Sequence, residues 1–69
     1  MRRNIQIHTQ YDEVGGFFSA WVVSDSQRPI ALNACARSGD TAQTAFNRCM
    51  EAYRASHTIA DDAVFSEAT

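Results

Sequence analysis

The stretch Ser38-Gly39-Asp40-Thr41, together with residues 42–55 that follow it, decides the fold. At 100° per residue the apolar and small side chains of 42–55 fall within one arc, which predicts an amphipathic helix with one buried face. Asp40 is the expected N-cap, and Gln43 stands where a capping box takes Glu or Gln. The residues on the arc are Ala42, Ala45, Phe46, Cys49, Ala52, Tyr53 and Ser56.

Three strands are predicted upstream of this helix. The first alternates apolar and polar residues around Ile5 and Ile7, and Gly15-Gly16 supplies a hairpin turn before the second. Short connections favour an α+β fold, in which a three-stranded antiparallel meander is followed by one helix within a domain of residues 1–57. The strands span residues 3–10, 17–24 and 30–37. We expect the core to contain Ile5, Ile7, Leu32 and Phe46.

The second strand is apolar on both of its faces. Phe17, Trp21 and Val23 alternate with a second apolar set, and a single helix can cover only one of the two faces. Uncovered aromatic side chains mark an interface. We therefore expect a homodimer, formed through this face or through a strand edge, with Phe17, Trp21 and Val23 at the dimer interface.

The C-terminal segment, residues 58–69, carries three acidic residues and no basic one. We expect it to be a short second helix, or a tail that becomes ordered against a partner. Val64 and Phe65 would then be apolar anchors ringed by Asp61, Asp62 and Glu67, a pattern that favours a partner protein with a basic surface. The alternative is that Phe65 folds back and caps the core.

Length and charge restrict the class of protein. A chain of 69 residues with 45% apolar residues forms one thin core and buries roughly 60% of its unfolded surface. Net charge is −2, with six arginines and no lysine, which argues against non-specific nucleic-acid binding. Neither a targeting signal nor an apolar run of membrane-spanning length is present, so we expect a soluble, cytoplasmic protein without a membrane partner.

The residues that could carry chemistry are few and poorly spaced. His8, Cys35, Cys49 and His57 form no closely spaced ligand pair, so we expect no metal and no cofactor. Nothing in the sequence pre-orders Cys35, His57 and Asp61 as a nucleophilic set, and we expect no enzymatic activity. In a reducing compartment both cysteines are expected as free thiols, although a strand cysteine and a helix cysteine can also face each other in a disulfide.

The order of elements resembles the N-terminal domain of HicB-like antitoxins. The likeness rests on Tyr11-Asp12 and Gly15-Gly16-Phe17-Phe18 before an aromatic strand, and on Gly39-Asp40-Thr41 before an Ala-rich helix, and it covers residues 3–55. The turn Ser26-Gln27-Arg28-Pro29 departs from the Pro-Gly-Cys-like turn of the family. The family usually adds a C-terminal DNA-binding domain, and the dozen or so residues after position 55 are too few for one.

The expected function is therefore a small non-enzymatic protein–protein interaction module. As a homodimer it would bind and inhibit or neutralise another protein, as an antitoxin-type or phage-type inhibitor does; toxin neutralisation is what the resemblance implies. The alternative is a nucleic-acid-associated regulatory protein that stacks bases on Phe17 and Trp21. No basic residue lies between Val14 and Gln27, which makes nucleic acid the less favoured partner.

Overall fold

The computed structural model describes residues 2–31 and 33–68, and within them the chain forms four strands and one helix. The order is β1, β2, β3, α1, β4. The bounds are β1 Asn4–Asp12, β2 Phe17–Asp25, β3 Ala34–Gly39, α1 Ala42–Ser56 and β4 Val64–Glu67. The α+β class is confirmed.

The strands form one mixed sheet in the order β3-β2-β1-β4. β1, β2 and β3 make the predicted antiparallel meander, and β4 adds a fourth strand parallel to β1. The prediction that residues 58–69 form a short helix or a tail is wrong at 64–67, which form β4. Four residues are too few to show strand periodicity, and β4 is stabilised by backbone hydrogen bonds from Val64 N–H to Arg3 O (2.9 Å) and from Ala68 N–H to Ile7 O (2.8 Å).

The helix occupies almost the predicted residues, but Thr41 rather than Asp40 is its N-cap. Thr41 is extended (φ −131°, ψ 162°), and its hydroxyl oxygen accepts a hydrogen bond from Thr44 N–H at 3.1 Å. Gln43 does not close a capping box, since its side-chain amide donates to Asn47 Oδ1. Gly39 is needed at the entry to α1, because a Cβ there would lie 2.8 Å from the Ala45 nitrogen.

The core lies between α1 and one face of the sheet. Ile5 and Ile7 are fully buried as predicted, whereas Phe46 is only partly buried at the edge of the core. The fully buried stripe of α1 runs instead through Ala45, Cys49 and Tyr53. Leu32 lies outside the described residues. Among residues 2–31 and 33–68, the buried apolar side chains are those of Ile5, Ile7, Ala20, Val22, Ala45, Cys49 and Tyr53.

Two irregularities shift the predicted third strand and change its pairing. β3 begins at Ala34 and not at residue 30, and Asn33, just before it, has positive φ (62°). Cys35, the second residue of β3, also has positive φ (52°), so the backbone is irregular at the start of the strand. The register slips between Ala20 and Val22 of β2, where β3 contributes an extra residue. A strict two-residue alternation across 30–37 therefore does not hold.

Candidate protein-binding surface

The face of the sheet opposite α1 carries aromatic side chains. Ile7 pairs with Val22 on the buried face, so the next pair, His8 and Trp21, projects from the other face. Their rings meet edge to face, with centroids 5.0 Å apart and planes at 64°. Both side chains are half-buried by their neighbours on the sheet. We call the surface formed by His8, Phe17, Ser19 and Trp21 the open face.

The structure divides the three residues predicted for the dimer interface. Phe17 and Trp21 lie on the open face, and the Phe17 ring packs over the hairpin, where a Cβ on Gly15 would meet its Cε1 at 2.0 Å. Val23 is 40% exposed and is the extra residue of a bulge in β2. It lines a separate hollow with Ile30 and Asn33. Phe17 and Trp21 are therefore the pair that shares one surface.

The hairpin end of the open face is acidic. Both Val14 N–H and Gly15 N–H donate to Asp12 Oδ1 at 3.0 Å, which fixes that carboxylate at the turn. A shallow groove of about 350 Å³ runs along this end, between the turn and Trp21. Its lining residues are Gln10, Tyr11, Asp12, Glu13, Ser19 and Trp21.

The C-terminal segment is folded onto the protein. Asp61 and Asp62 are exposed in the turn before β4, whereas Val64 and Phe65 are half-buried, which favours the alternative in which Phe65 folds back on the core. The Phe65 ring packs at the core with its centroid 6.5 Å from that of Tyr53, and the Arg54 guanidinium lies 4.8 Å from its centre. Phe65 thus caps the core, while Glu67 stays exposed and accepts a hydrogen bond from the Thr9 hydroxyl.

A buried ionic cluster joins β2, α1 and the residue before β1. The Asp25 side chain is fully buried, and Arg3 donates to it from Nη2 at 2.6 Å and from Nε at 3.0 Å. The Tyr53 hydroxyl donates to the same carboxylate at 2.6 Å, and Gln27 N–H at 2.9 Å. The sequence alone did not indicate that Asp25 is buried. Two features of the sequence could have indicated it: Asp25 ends the apolar second strand, and Arg3 stands at the start of the strand that pairs with it.

Protonation in this cluster follows from its contacts. Hydrogen bonds from the Arg3 guanidinium hold the pKa of the Asp25 carboxyl well below its usual range, with a further contribution from the Tyr53 hydroxyl. Burial raises the pKa of Tyr53, and the adjacent carboxylate raises it further. The cluster therefore stays ionised as a carboxylate–guanidinium pair with a neutral phenol. Every partner is engaged within the fold, which is the arrangement of a structural cluster.

The cysteines and His57 meet at the end of α1. The Ser56 hydroxyl lies between the other two groups, 3.5 Å from the Cys35 thiol and 3.2 Å from His57 Nδ1. Ser56 donates its own proton to the Ala52 carbonyl at 2.9 Å. That bond closes the last helical turn. Cys49 donates to the Cys35 carbonyl at 3.0 Å, and burial raises the pKa of its thiol to about 11. Both cysteines are free, and Asp61, the third residue weighed for a nucleophilic set, is exposed in the turn before β4.

Two further findings concern the described residues. Within 2–31 and 33–68, no three His, Cys, Asp or Glu side chains are grouped so that they could hold a metal ion. No helix in that part of the chain is long and apolar enough to cross a membrane.

Comparisons with protein-family models, curated proteins and solved structures find no match to the chain.

Proposed function

We propose that the protein is a non-enzymatic protein-binding module that forms a homodimer through the open face and inhibits another protein, as an antitoxin-type inhibitor does. The observation that carries this proposal is the open face itself. Trp21 and Phe17 lie on a sheet surface that the helix does not cover. Large aromatic side chains dominate protein interfaces, so this surface is suited to bind another chain.

Charge favours a protein over a nucleic acid at this surface. No arginine projects from β1 or β2 on the open face, and the hairpin end contributes Asp12 and Glu13. Arg3 is bound to Asp25, and Arg48 donates to the Ser38 carbonyl at 2.9 Å. The phosphates of a single-stranded nucleic acid would therefore meet no row of positively charged side chains beside the aromatic residues.

The dimer is tested by measuring mass in solution. Sedimentation equilibrium at about 50 μM should give twice the chain mass of 7.7 kDa, and Trp21→Arg should give the monomer mass with unchanged far-UV circular dichroism. Glu51→Arg is the matched control, since Glu51 is exposed on α1 on the other side of the sheet, and it should remain dimeric. A monomeric wild-type chain at this concentration would contradict the proposed dimer.

Inhibition is tested on an identified partner. Cross-linking to the intact chain followed by mass spectrometry identifies the bound protein, whose own activity is then assayed with increasing amounts of the chain. We expect that activity to fall in proportion to the chain added and to stop falling at a fixed ratio. A bound protein whose activity is unchanged at saturation would contradict the inhibitory role.

A further inference from the structure

The outer edge of β4 offers backbone hydrogen-bonding groups beside an apolar groove. β4 is an outermost strand of the sheet. Val64 N–H and Ala68 N–H point toward β1, where they meet the carbonyls of Arg3 and Ile7. Because backbone direction alternates along a strand, Phe65 and Glu67 direct their N–H and C=O groups away from the sheet. This edge can accept another extended segment.

A groove of about 210 Å³ runs beside this edge, between β4 and the first turns of α1. Phe46 and Phe65 supply its apolar lining, and Glu67 stands at its rim. Its volume lies below the range of about 300–1,000 Å³ that is usual for small-molecule sites. It fits one apolar side chain that projects from a neighbouring strand. The lining residues are Ala42, Gln43, Phe46, Phe65, Ser66 and Glu67.

The charges around β4 indicate what kind of segment fits. Asp61 and Asp62 are exposed just before the strand, and Glu67 is exposed at its end. Of the arginines near this strand, Arg54 is held over the Phe65 ring and Arg3 is bound to Asp25, whereas Arg2 is exposed. A second copy of β4 paired antiparallel would bring Glu67 of each copy close to the paired aspartates of the other, and like charges across strands are destabilising. A segment with basic residues would instead be attracted.

We infer that β4 and this groove bind an extended segment of the inhibited protein by strand addition. The segment places one apolar side chain between Phe46 and Phe65 and carries Arg or Lys on both flanks, next to Asp61, Asp62 and Glu67. Main-chain hydrogen bonds to Phe65 and Glu67 fix its register, and the groove selects the apolar residue. This inference rests on the proposed function and gives it a second surface, separate from the open face that forms the dimer.

The probe is a phage-displayed library of random nonapeptides, selected against the intact chain. We expect enriched sequences to have one central apolar residue, flanking Arg or Lys, and no proline at the centre. In ¹⁵N-labelled protein the selected peptide should shift the amide resonances of residues 65–67. Methylating the peptide nitrogens that pair with β4 should weaken binding at least tenfold, because it removes the main-chain hydrogen bonds and keeps the side chains.

Two variants locate the site, each with a matched control. Ala42→Trp fills the groove and should weaken binding at least tenfold, whereas Ala55→Trp, about 20 Å along the helix, should not. Glu67→Lys should weaken binding and reduce its dependence on salt, whereas Glu51→Lys, half a helical circumference away from Ala42, should not. Thermal unfolding of each variant verifies that it is folded.

The contrary results are equally specific. Selection without any enriched sequence, peptides whose binding is unaffected by Ala42→Trp, or peptides that shift the resonances around Trp21 would each overturn the strand-addition site. The oligomeric state is measured separately on the same protein. A stable dimer that fails these peptide tests would leave the proposed function standing and remove this inference.

Discussion

Asp25 has more influence on this fold than its place in the sequence suggests. A fully buried carboxylate is costly unless it is paired, and here Arg3, Tyr53 and Gln27 N–H all donate to it. These donors come from the residue before β1, from the buried face of α1 and from the turn after β2. One side chain thus ties the helix to both central strands at one end of the sheet.

Removing the charge of Asp25 should destabilise the protein. Asp25→Asn should lower the free energy of unfolding by about 3 kcal/mol, since it breaks the ion pair and leaves the half-buried Arg3 guanidinium without its counter-ion. Tyr53→Phe keeps the ring in the core and removes one hydrogen bond to the carboxylate, so it should cost less, about 2 kcal/mol. Urea denaturation at pH 7 measures both.

The same variant predicts a change in pH dependence. Because the pKa of Asp25 is lower in the folded chain than its unfolded value of 3.8, its contribution to stability is complete above that pH and is lost as pH falls below it. The wild-type free energy of unfolding should therefore decrease between pH 4 and pH 2 more steeply than that of Asp25→Asn. Equal slopes for the two proteins would show that Asp25 is not held ionised by Arg3.

At the scale of elements, the long periodic segments could be predicted and the irregular ones could not. The arc on 42–55 predicted α1, and the alternation around Ile5 and Ile7 predicted β1, because burial on one face imposes a period on the sequence. Bulges at Val23 and Cys35 depend on which strand pairs with which, so no local pattern indicates them. The position of β4 depends on the free edge of β1, which the sequence does not show.

The start of α1 gives a direct test of local chemistry. Thr41→Ala removes the oxygen that accepts from Thr44 N–H and should cost about 1 kcal/mol. Asp40→Ala, one residue earlier and exposed, should change stability by less than about 0.5 kcal/mol. Thermal unfolding of the two variants compares them, and a larger loss in Asp40→Ala would mean that the aspartate is the true cap.

At the scale of the molecule, the candidate surface was partly predictable. An aromatic strand with two apolar faces indicated that one face lacks a cover, and Phe17 and Trp21 indeed lie opposite the helix. The sequence could not show that Val23 is the extra residue of a bulge, because the bulge depends on how β2 pairs with β1. It also could not decide between an exposed and a folded-back Phe65, since that choice depends on whether β4 pairs with β1.

The sheet is completed by pairing the two ends of the chain. β1 begins at Asn4 and β4 ends at Glu67, so their parallel pairing joins segments that are far apart in the sequence. β4 also carries Phe65, which packs at the core beside Tyr53. A domain of this size has a total stability of roughly 3–10 kcal/mol, so one edge strand is a substantial fraction of it.

Truncation after Asp62 should therefore unfold most of the protein or lower its melting temperature by at least about 10 °C. Losing the half-buried Phe65 alone corresponds to about 2 kcal/mol, and each kcal/mol shifts the melting temperature of such a small domain by about 4–8 °C. Differential scanning calorimetry gives the value. A truncated chain that melts as the full chain does would show that β4 is dispensable for the fold.

Two proline variants of the full-length chain separate the role of the strand from that of chain length. Val64 N–H and Ala68 N–H point toward β1, so by the alternation of the strand Ser66 N–H does too. Ser66→Pro should therefore remove a hydrogen bond between β4 and β1 and reproduce much of the loss of stability seen on truncation. Glu67 directs its N–H outward, so Glu67→Pro should be tolerated better. If Glu67→Pro proved the more damaging of the two, Phe65 and Glu67 would have to be the residues whose backbone groups bond to β1. The backbone groups that point away from the sheet would then belong to Val64 and Ser66.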